Sequence, residues 1–395
     1  MRVIQLAIVV VLATTAFGFK RGPTWKELDG YTFEKWLVDF DRAYEDSATF
    51  IRRRAIFNTR LQDIKRHNAD PEQTYKRGVN QFSDWTTDEW KAYNRYRPDE
   101  LFEASNARRG EPVVPEGVKL AAAIQALAAD SLPEKVDYTT WTSPRVLTGI
   151  KNQGKCGNCW SWSATESVES YYALLTGQLP VLSSQQITSC DVNMDGCGGG
   201  SIRSGWNYVK NSTGLYEEWV YPFTDFFAIH DRKNYTSKCR NITKEFAPSN
   251  WTASPVAGVS GYHSVERNSA NATMHALATR GPLSIGVASA LWIDYEGGIL
   301  KNNASHGGYA TWDNWGIDHA VQLVGYSHDF DLGINYWLVK NSWGTDWGED
   351  GFIRLYRPEV EPCGIYPVNN KTVCGTSALL AEPSHPYVHT LKKQH

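Results

Sequence analysis

Seven cysteines, an odd number, constrain this 395-residue chain more than any other feature of its sequence. Two of them, Cys156 and Cys159, lie three positions apart in the stretch NQGKCGNCWSWSATES. Such a pair can bind zinc, form a redox-active disulfide, or consist of two cysteines with different roles. In an oxidising compartment an odd count leaves at least one thiol for reaction or for intermolecular pairing.

The N-terminus has the features of a secretory signal peptide. Arg2 supplies a positive charge, residues 3–11 are largely apolar, and Ala16-Phe17-Gly18 places small residues at a cleavage site. About 15 apolar residues are too few to cross a bilayer of ~30 Å as a helix, so a membrane anchor is the weaker alternative. We therefore expect residues 1–18 to be removed and the protein to become extracellular, lysosomal or vacuolar.

Seven N-x-S/T sequons, all after residue 200, fit the same compartment. These candidate glycosylation sites are Asn211, Asn234, Asn241, Asn250, Asn271, Asn303 and Asn370. A single sequon arises easily by chance, whereas seven behind a signal peptide favour passage through the endoplasmic reticulum. The net charge of −3 argues against a nucleic-acid partner.

The N-terminal third of the chain predicts helices followed by a linker. From Thr32 to about Asn68, apolar residues recur at helical spacing with charges between them, as on an amphipathic helix pair. Residues 98–131 combine prolines and mixed charge with an alanine-rich stretch. This composition is typical of an exposed linker with a short helix.

The rest of the chain predicts an α+β fold in two packed halves. Residues 159–175 have helical spacing, with Asn158 at the N-cap and Gly177 as the end. The segments 319–327 and 335–343 alternate like two paired strands around a polar loop.

The surroundings of Cys159 favour a nucleophile over a zinc or redox site. A zinc site needs two further ligands at short spacing, but six residues separate Cys190 from Cys197 and no histidine is near them. A redox pair usually opens a βαβ unit. A helix N-terminus and a nearby histidinium would lower the pKa of a Cys159 thiol. Such a site also needs a base, a group that orients it, and donors for an oxyanion.

Three motifs in order resemble the papain family of cysteine proteases. QGKCGNCW at residues 153–160 resembles the nucleophile motif, DHAV at 318–321 the histidine motif, and KNSWG at 340–344 the asparagine motif. His319 and Asn341 follow Cys159 by 160 and 182 residues, respectively. These separations exceed ~130–150, which implies insertions. The resemblance covers about residues 30–370 and implies the papain-like two-half fold, with the cleft between a helical and a β-rich half.

The resemblance assigns a role to each catalytic candidate. Cys159 attacks as a thiolate and forms an acyl-enzyme, and His319 transfers the proton. Asn341 orients the imidazole, and Gln153 donates to the oxyanion together with the Cys159 backbone N–H. Trp343 shields the histidine–asparagine hydrogen bond, with simple core packing as the alternative.

Further residues are expected to bind substrate. CGGG at residues 197–200 resembles the family's substrate-binding strand, with glycine for the usual asparagine at 198, and a structural turn is the alternative. The expected substrate-binding residues are Gly199, Gly200, Gly286, Ile317, Asp318, Ala320 and Trp343. Four residues, Gly286, Ile317, Ala320 and Val368, are placed around the pocket for the second residue before the scissile bond. This pocket is expected to be apolar, with no acidic residue at its floor.

The family pattern implies disulfides Cys156–Cys197 and Cys190–Cys239. For Cys363 the usual partner, just upstream of the histidine, is missing, because no cysteine lies between residues 298 and 319. We infer that Cys363 pairs with Cys374, the remaining cysteine, which leaves Cys159 free.

The front of the chain resembles the family's inhibitory prosegments. Residues 78–84 fit the GxNxFxD motif, and a helical motif is partly kept as Arg53, Phe57, Ile64 and Asn68, with Thr49 and Arg60 as departures. The implied units are a prosegment at 19–131, removed near 129–132, and a mature peptidase domain at 132–395. Acid is expected to loosen the prosegment by protonating carboxylates such as Asp84.

The sequence therefore predicts a cysteine endopeptidase made as a zymogen. We expect a monomer that needs no cofactor or metal, acts on proteins or peptides, and is inhibited by its own prosegment. One alternative is a papain-like exopeptidase, although no histidine-bearing occluding insertion follows Cys239. The other is a non-catalytic inhibitor or binding protein, which the intact Cys-His-Asn-Gln set disfavours.

Overall fold

The computed structural model describes residues 22–98, 132–225, 238–242, 253–302 and 312–391. The helices within these ranges are α1 Phe33–Asp39, α2 Ser47–Ala69, α3 Thr87–Tyr93, α4 Cys159–Thr176, α5 Ser184–Cys190, α6 Ile202–Asn211, α7 Ala270–Thr279 and α8 Trp312–Trp315. The strands are β1 Tyr75–Arg77, β2 Val136–Asp137, β3 Ala257–Ser264, β4 Leu283–Val287, β5 Tyr295–Leu300, β6 His319–Asp329, β7 Ile334–Lys340, β8 Phe352–Tyr356, β9 Cys363–Ile365, β10 Thr372–Cys374 and β11 Ser384–Thr390.

Some of the expected features lie outside the described residues. These are the signal peptide, the linker helix, the segment cut just before residue 132, and three of the sequons, Asn234, Asn250 and Asn303. The asparagines of the other four sequons are exposed. Within the described ranges, no helix combines the length and the apolar character that crossing a membrane requires.

Helix α4 is the buried centre of the helical half. Trp160, Ala164 and Val168 recur at intervals of four and are fully buried. Gly177 ends the helix with φ of +74°, a left-handed conformation that favours glycine. Asn158 is the N-cap residue, as predicted, but its side chain donates to Thr188 Oγ1 at 2.9 Å instead of capping the helix.

A nine-stranded mixed sheet forms the β-rich half, and the predicted α+β class is confirmed. The strand order is β1-β5-β8-β7-β6-β4-β11-β3, with β2 also pairing with β6. The predicted pair of strands is present as β6 and β7, which run antiparallel. Strand β11 comes from the tail that no motif covered, and it pairs with β3 along its whole length.

The fold has two main hydrophobic cores, and the candidate catalytic residues lie where they meet. Cys159 and Ala320 belong to the core around α4. Trp292 and Trp343 belong to the larger core around the sheet. His319, at the start of β6, is fully buried and contacts both of these tryptophan rings.

Three disulfides join the expected pairs of cysteines. Cys156–Cys197 and Cys190–Cys239 fasten the start of α4 and the end of α5 to following segments, each with a Cα–Cα distance of 4.7 Å. Cys363–Cys374 joins opposite positions of the β9–β10 hairpin. The seventh cysteine, Cys159, is free and buried. Disulfides of this kind are typical of the secretory pathway.

Residues 22–98, called the N-terminal segment below, form a separate small core that packs on the rest of the chain. The core contains the predicted helix pair, with Phe33, Trp36, Phe57 and Ile64 buried between α1 and α2. Strand β1 extends the sheet by pairing antiparallel with β5.

Candidate active site

Strand pairing brings His319 and Asn341 together. His319 begins β6 and Asn341 directly follows the neighbouring β7, so both side chains lie at one edge of the sheet. The His319 Nε2 atom lies 2.8 Å from Asn341 Oδ1. The side chains of His319, Asn341 and Trp343 are fully buried. The Trp343 ring stacks on the imidazole, with centroids 4.5 Å apart and planes 22° apart. This leaves Nδ1, which has no hydrogen-bond partner among the described residues, as the nitrogen available for proton transfer.

Cys159 is the first residue of α4, where the helix dipole favours a negative charge. Burial raises the pKa of the Cys159 thiol to about 12, although backbone hydrogen bonds from Ala320 and Arg95 act in the opposite direction. Burial likewise lowers the pKa of His319 to about 3, against the hydrogen bond with Asn341. Both groups are therefore neutral while the N-terminal segment covers them. The ion pair expected from the sequence requires water to reach the site.

Gln153 is tied to the residue that follows Asn341. Its Oε1 accepts a hydrogen bond from Ser342 Oγ at 2.9 Å, and its backbone N–H donates to Ser342 O at 2.9 Å. Its Nε2 donates to Cys156 O at 2.9 Å. The amide nitrogen carries a second hydrogen, which can serve an oxyanion. Ser342, which the sequence analysis did not identify as a site residue, thus holds both the side chain and the backbone of Gln153.

The end of the N-terminal segment occupies the expected substrate-binding strand. The Tyr96 backbone N–H donates to Asp318 O at 2.8 Å, and that of Arg97 donates to Gly200 O at 2.9 Å. Gly199 has φ of +113°, and a Cβ atom there would collide with the backbone of the N-terminal segment. The glycines therefore allow a peptide backbone to lie directly on this surface.

A buried glutamate closes the pocket that Tyr96 fills. The Tyr96 hydroxyl donates to Glu382 Oε1 at 2.5 Å. A Cβ atom added to Gly286 would lie 2.6 Å from both the Tyr96 ring and Glu382, and 2.9 Å from Ile317. The expectation of a pocket with no acidic residue at its floor is therefore wrong. Val368, also expected there, is 65% exposed.

An aromatic cluster holds the N-terminal segment over Trp343. The rings of Phe82, Trp90 and Tyr93 lie 5.6, 4.9 and 6.2 Å from the Trp343 ring, respectively. Gln81 Nε2 also donates to Trp343 O at 2.7 Å. The segment thus covers the indole that stacks on the candidate catalytic imidazole.

A polar contact joins α2 to the residue that precedes β5. Arg60, a departure from the prosegment motif, donates to both carboxylate oxygens of Asp294 at 3.1 and 3.3 Å. It also donates to Trp85 O at 2.7 Å. Arg60 therefore contributes an ion pair to the interface between the N-terminal segment and the rest of the chain.

The described residues contain one cluster of potential metal ligands, formed by Cys156, Cys197 and Asp225. The two sulfur atoms are joined in a disulfide, so they cannot act as thiolate ligands. We derive no metal site from this cluster.

The fold and the buried cysteine, histidine and asparagine define the class of protein as a cysteine protease. The family model described as papain family cysteine protease matches residues 132–373, more than half of the chain. The model described as cathepsin propeptide inhibitor domain (I29) matches residues 33–90. The chain belongs to the papain family of cysteine proteases, and its inhibitor domain makes it a zymogen.

Individual relatives agree with the family match. The probable cysteine protease RDL3 of Arabidopsis thaliana is 32% identical over 362 residues, covering 89% of this chain and 85% of that protein. Fruit bromelain of Ananas comosus is 29% identical, covering 84% of this chain and 82% of that protein.

Solved structures of precursor forms share the fold. The recombinant stem bromelain precursor has a TM-score of 0.64 and 27% identity, covering 90% of this chain and 97% of its own. Digestive procathepsin L 3 of the Tenebrio molitor larval midgut has a TM-score of 0.63 and 25% identity, covering 92% and 99%. The N-terminal segment is therefore this chain's own inhibitor.

Proposed function

We propose that the protein is an endopeptidase that uses Cys159 as its nucleophile and His319 as its base. The observation that carries this proposal is the hydrogen bond between His319 and Asn341 beneath Trp343, next to a free cysteine at a helix start. The N-terminal segment contacts Trp343 through Gln81, Cys159 through the Arg95 backbone and Gly200 through Arg97, so it lies on both sides of Cys159. A cleft that holds a chain on both sides of the nucleophile suits an endopeptidase, because the substrate chain must extend in both directions.

The proposed reaction follows from these positions. The Cys159 thiolate attacks the peptide carbonyl carbon, and the resulting oxyanion accepts hydrogen bonds from the Cys159 backbone N–H and the Gln153 amide. The His319 imidazolium gives its proton to the leaving amine, which leaves a thioester on Cys159. His319 then removes a proton from water, whose oxygen attacks the thioester carbonyl carbon. The carbon–sulfur bond breaks, which releases the acid and restores the Cys159 thiolate beside the His319 imidazolium. Asn341 keeps the imidazole oriented throughout.

The proposed mature enzyme spans residues 132–395 and acts as a monomer outside the cell or in a lysosome or vacuole. Residues 1–18 would be removed as a signal peptide and residues 19–131 as the prosegment. The exposed asparagines of the described sequons, at positions 211, 241, 271 and 370, support glycosylation. Removal of the segment opens the site to water, which favours the ionised forms of Cys159 and His319.

Peptides with both termini blocked test the proposed activity. The acid-activated protein is expected to cleave them at internal bonds, and an epoxysuccinyl thiol inhibitor should stop cleavage while adding its mass to Cys159. Mass spectrometry of the products locates each cut. Cleavage only of peptides with a free terminus would indicate an exopeptidase. Absence of cleavage together with an unlabelled Cys159 would indicate a binding protein.

Acid loosening of the prosegment is expected to depend on Glu89, not on Asp84. Burial raises the pKa of Asp84 in spite of hydrogen bonding from Tyr44 and the charge of Arg53, so protonation of Asp84 does not destabilise the folded state. Burial acts to raise the pKa of Glu89 as well, but hydrogen bonds from Arg53 and Thr86 lower it to about 2. A depressed pKa stabilises the fold above about pH 4.5, and this stabilisation is lost as the pH falls towards 2.

The full-length Cys159→Ala protein allows this prediction to be measured without self-cleavage. Its thermal midpoint is expected to fall between pH 5 and pH 3, and Glu89→Gln should lower the midpoint at pH 6 and flatten that dependence. Asp84→Asn is the matched control and should leave the fall of the thermal midpoint between pH 5 and pH 3 in place. A slope that vanishes with Asp84→Asn but persists with Glu89→Gln would contradict the assignment.

A further inference from the structure

Helix α4 carries polar side chains on the same face as Cys159. Ser163, Glu166 and Ser170 follow Cys159 at helical spacing, so all four side chains lie along one side of the helix. The three polar residues, called the polar stripe below, are at most 2% exposed. A buried polar group costs free energy unless it has a partner, so the polar stripe depends on contacts with neighbouring elements.

A buried ion pair joins the polar stripe to β7. Lys340 Nζ donates to Glu166 Oε1 at 2.5 Å, and the two side chains are 0% and 2% exposed, respectively. Burial raises the pKa of Glu166, whereas the charge and the hydrogen bond of Lys340 act in the opposite direction. Removing either partner would leave the other charge buried without compensation.

Two neutral contacts join the polar stripe to β6. Ser163 Oγ donates to Val321 O at 2.8 Å. Gln322 Nε2 donates to Ser170 Oγ at 2.9 Å and to the backbone oxygen of Glu166 at 3.2 Å. Successive turns of α4 are thus attached to the sheet by directional contacts. Such contacts oppose sliding and rotation of the helix more than apolar packing does, because they weaken steeply when their geometry changes.

The partners of the polar stripe are neighbours of the candidate catalytic residues. Gln322 lies directly opposite Lys340 in the β6–β7 register, so both side chains are on one face of the sheet. Lys340 directly precedes Asn341, and His319 begins β6. Fixing these two side chains to α4 therefore also fixes the strand backbone that carries His319 and Asn341.

We propose that Glu166 and Lys340 are positioning residues, which hold α4 in the register that places Cys159 beside His319. This inference rests on the proposed function, because it assumes that Cys159 and His319 are the reacting pair. Proton transfer requires the sulfur to lie within hydrogen-bond reach of the imidazole. A displacement of about 1 Å can cost about 10²-fold in rate. The ion pair opposes such a displacement, whereas apolar side chains of similar volume hold the two elements together without fixing their register.

Replacing both members of the ion pair separates positioning from stability. Glu166→Leu alone and Lys340→Met alone should each lower the thermal midpoint of the full-length chain, because each leaves one charge buried alone. The double variant, Glu166→Leu with Lys340→Met, should recover most of that loss, because neither charge remains. After activation, its kcat per active site titrated with an epoxysuccinyl inhibitor should still be at least about tenfold below the wild type. Its KM should stay within about twofold.

Alkylation of Cys159 by iodoacetamide gives a second readout, which a change in stability alone does not move. In the activated wild type, a thiolate paired with the His319 imidazolium should react well below the ordinary thiol pKa of ~8.5. In the double variant the rate at about pH 6 should fall by about tenfold or more. The rate at about pH 9 should change less, because there the thiolate forms without the imidazolium.

Asp329→Asn is the matched control. Asp329 ends the strand that His319 begins, and it forms an ion pair with Arg354 at 2.7 Å on the neighbouring β8. The substitution thus breaks an ion pair of the same sheet that makes no contact with α4. It should leave kcat and the alkylation rate at about pH 6 within about twofold of the wild type.

Two results would overturn the inference while leaving the proposed function intact. One is a double variant whose kcat and alkylation rate at about pH 6 equal those of the wild type. The other is a loss of kcat in Asp329→Asn as large as that in the double variant. A wild-type protein that cleaves no peptide would instead remove the proposed function and this inference together.

If the double variant does not fold, Gln322→Met gives the test. It removes the hydrogen bonds from Gln322 to α4 but no charge, and it keeps a side chain of similar length. A kcat lowered severalfold, with KM unchanged and slower alkylation at about pH 6, would support the inference. An unchanged kcat and alkylation rate would overturn it.

Discussion

Replacing Cys159 by serine is expected to lower kcat/KM for every peptide substrate by at least about 10⁴-fold without unfolding the protein. A hydroxyl ionises far less readily than a thiol, and a histidine–asparagine pair that serves a thiolate does not compensate for that difference. Serine is close to cysteine in size, and the backbone donors of Ala320 and Trp160 can serve its oxygen as they serve the sulfur. The fold should therefore tolerate the change.

Two measurements accompany the turnover assay. The free thiol count under denaturing, non-reducing conditions should fall from one to zero, because the other six cysteines form three disulfides. Asn341→Ala, which removes the partner of His319 but keeps the nucleophile, should cause a smaller loss than Cys159→Ser. Activity above a few per cent in Cys159→Ser, with the epoxysuccinyl group attached elsewhere, would show that another residue is the nucleophile.

The helix of Cys159 and the strand pair of His319 and Asn341 could be predicted because their signals are local. Apolar residues at intervals of four give α4, and alternation gives β6 and β7. Antiparallel pairing of adjacent strands then brings the histidine and the asparagine to the same edge of the sheet. For predicting the site, the number of residues between Cys159 and His319 therefore mattered less than the order of the helix and the two strands.

Glu382 was missed because its position depends on long-range pairing. Strand β11 pairs with β3, which lies over 120 residues earlier, and this register carries Glu382 to the pocket. The sequence did contain a signal, since an acid directly follows the apolar residues 378–381 and precedes an alternating segment. A charged residue that follows such a run is informative, because a glutamate is almost never fully buried unless it is paired.

The pKa values of the two carboxylates and the contacts of the N-terminal segment with the rest of the chain also depend on long-range neighbours. The sequence analysis gave Asp84 as an example of a carboxylate whose protonation loosens the prosegment. Burial raises the pKa of Asp84, whereas hydrogen bonds from Arg53 and Thr86 lower that of Glu89, so we expect Glu89 to be the acid-sensitive group. Arg60 departs from its motif, and its partner Asp294 lies 234 residues away. No local pattern indicates these two long-range contacts, whereas the Thr86–Glu89 capping box is a local pattern that the sequence analysis did not use.

Trp90→Ala is expected to give the full-length zymogen activity before its prosegment is removed. Trp90 is 3% exposed and packs on Trp343 with ring centroids 4.9 Å apart, so its removal leaves a cavity between the N-terminal segment and the candidate catalytic imidazole. Loss of a buried tryptophan costs about 3–5 kcal/mol. If Trp90→Ala destabilises the state in which the N-terminal segment covers the site by about 3 kcal/mol relative to the uncovered state, the fraction of uncovered molecules rises by about 10²-fold. The wild-type full-length chain should show less than about 1% of the activity of the processed enzyme. In Trp90→Ala, the larger uncovered fraction should raise the activity of the full-length chain severalfold or more.

The rate at which an epoxysuccinyl inhibitor labels Cys159 on the intact chain measures the uncovered fraction before self-cleavage begins. Trp25→Ala is the matched control, because Trp25 belongs to the same N-terminal segment but is 36% exposed. Its exposed ring contacts Lys26 and Lys76, so its loss should leave the labelling rate within about twofold of the wild type. Equal labelling rates for Trp90→Ala and Trp25→Ala would show that the aromatic cluster does not hold the segment closed. A wild-type chain labelled as fast as the processed enzyme would show that residues 22–98 do not block the site at all.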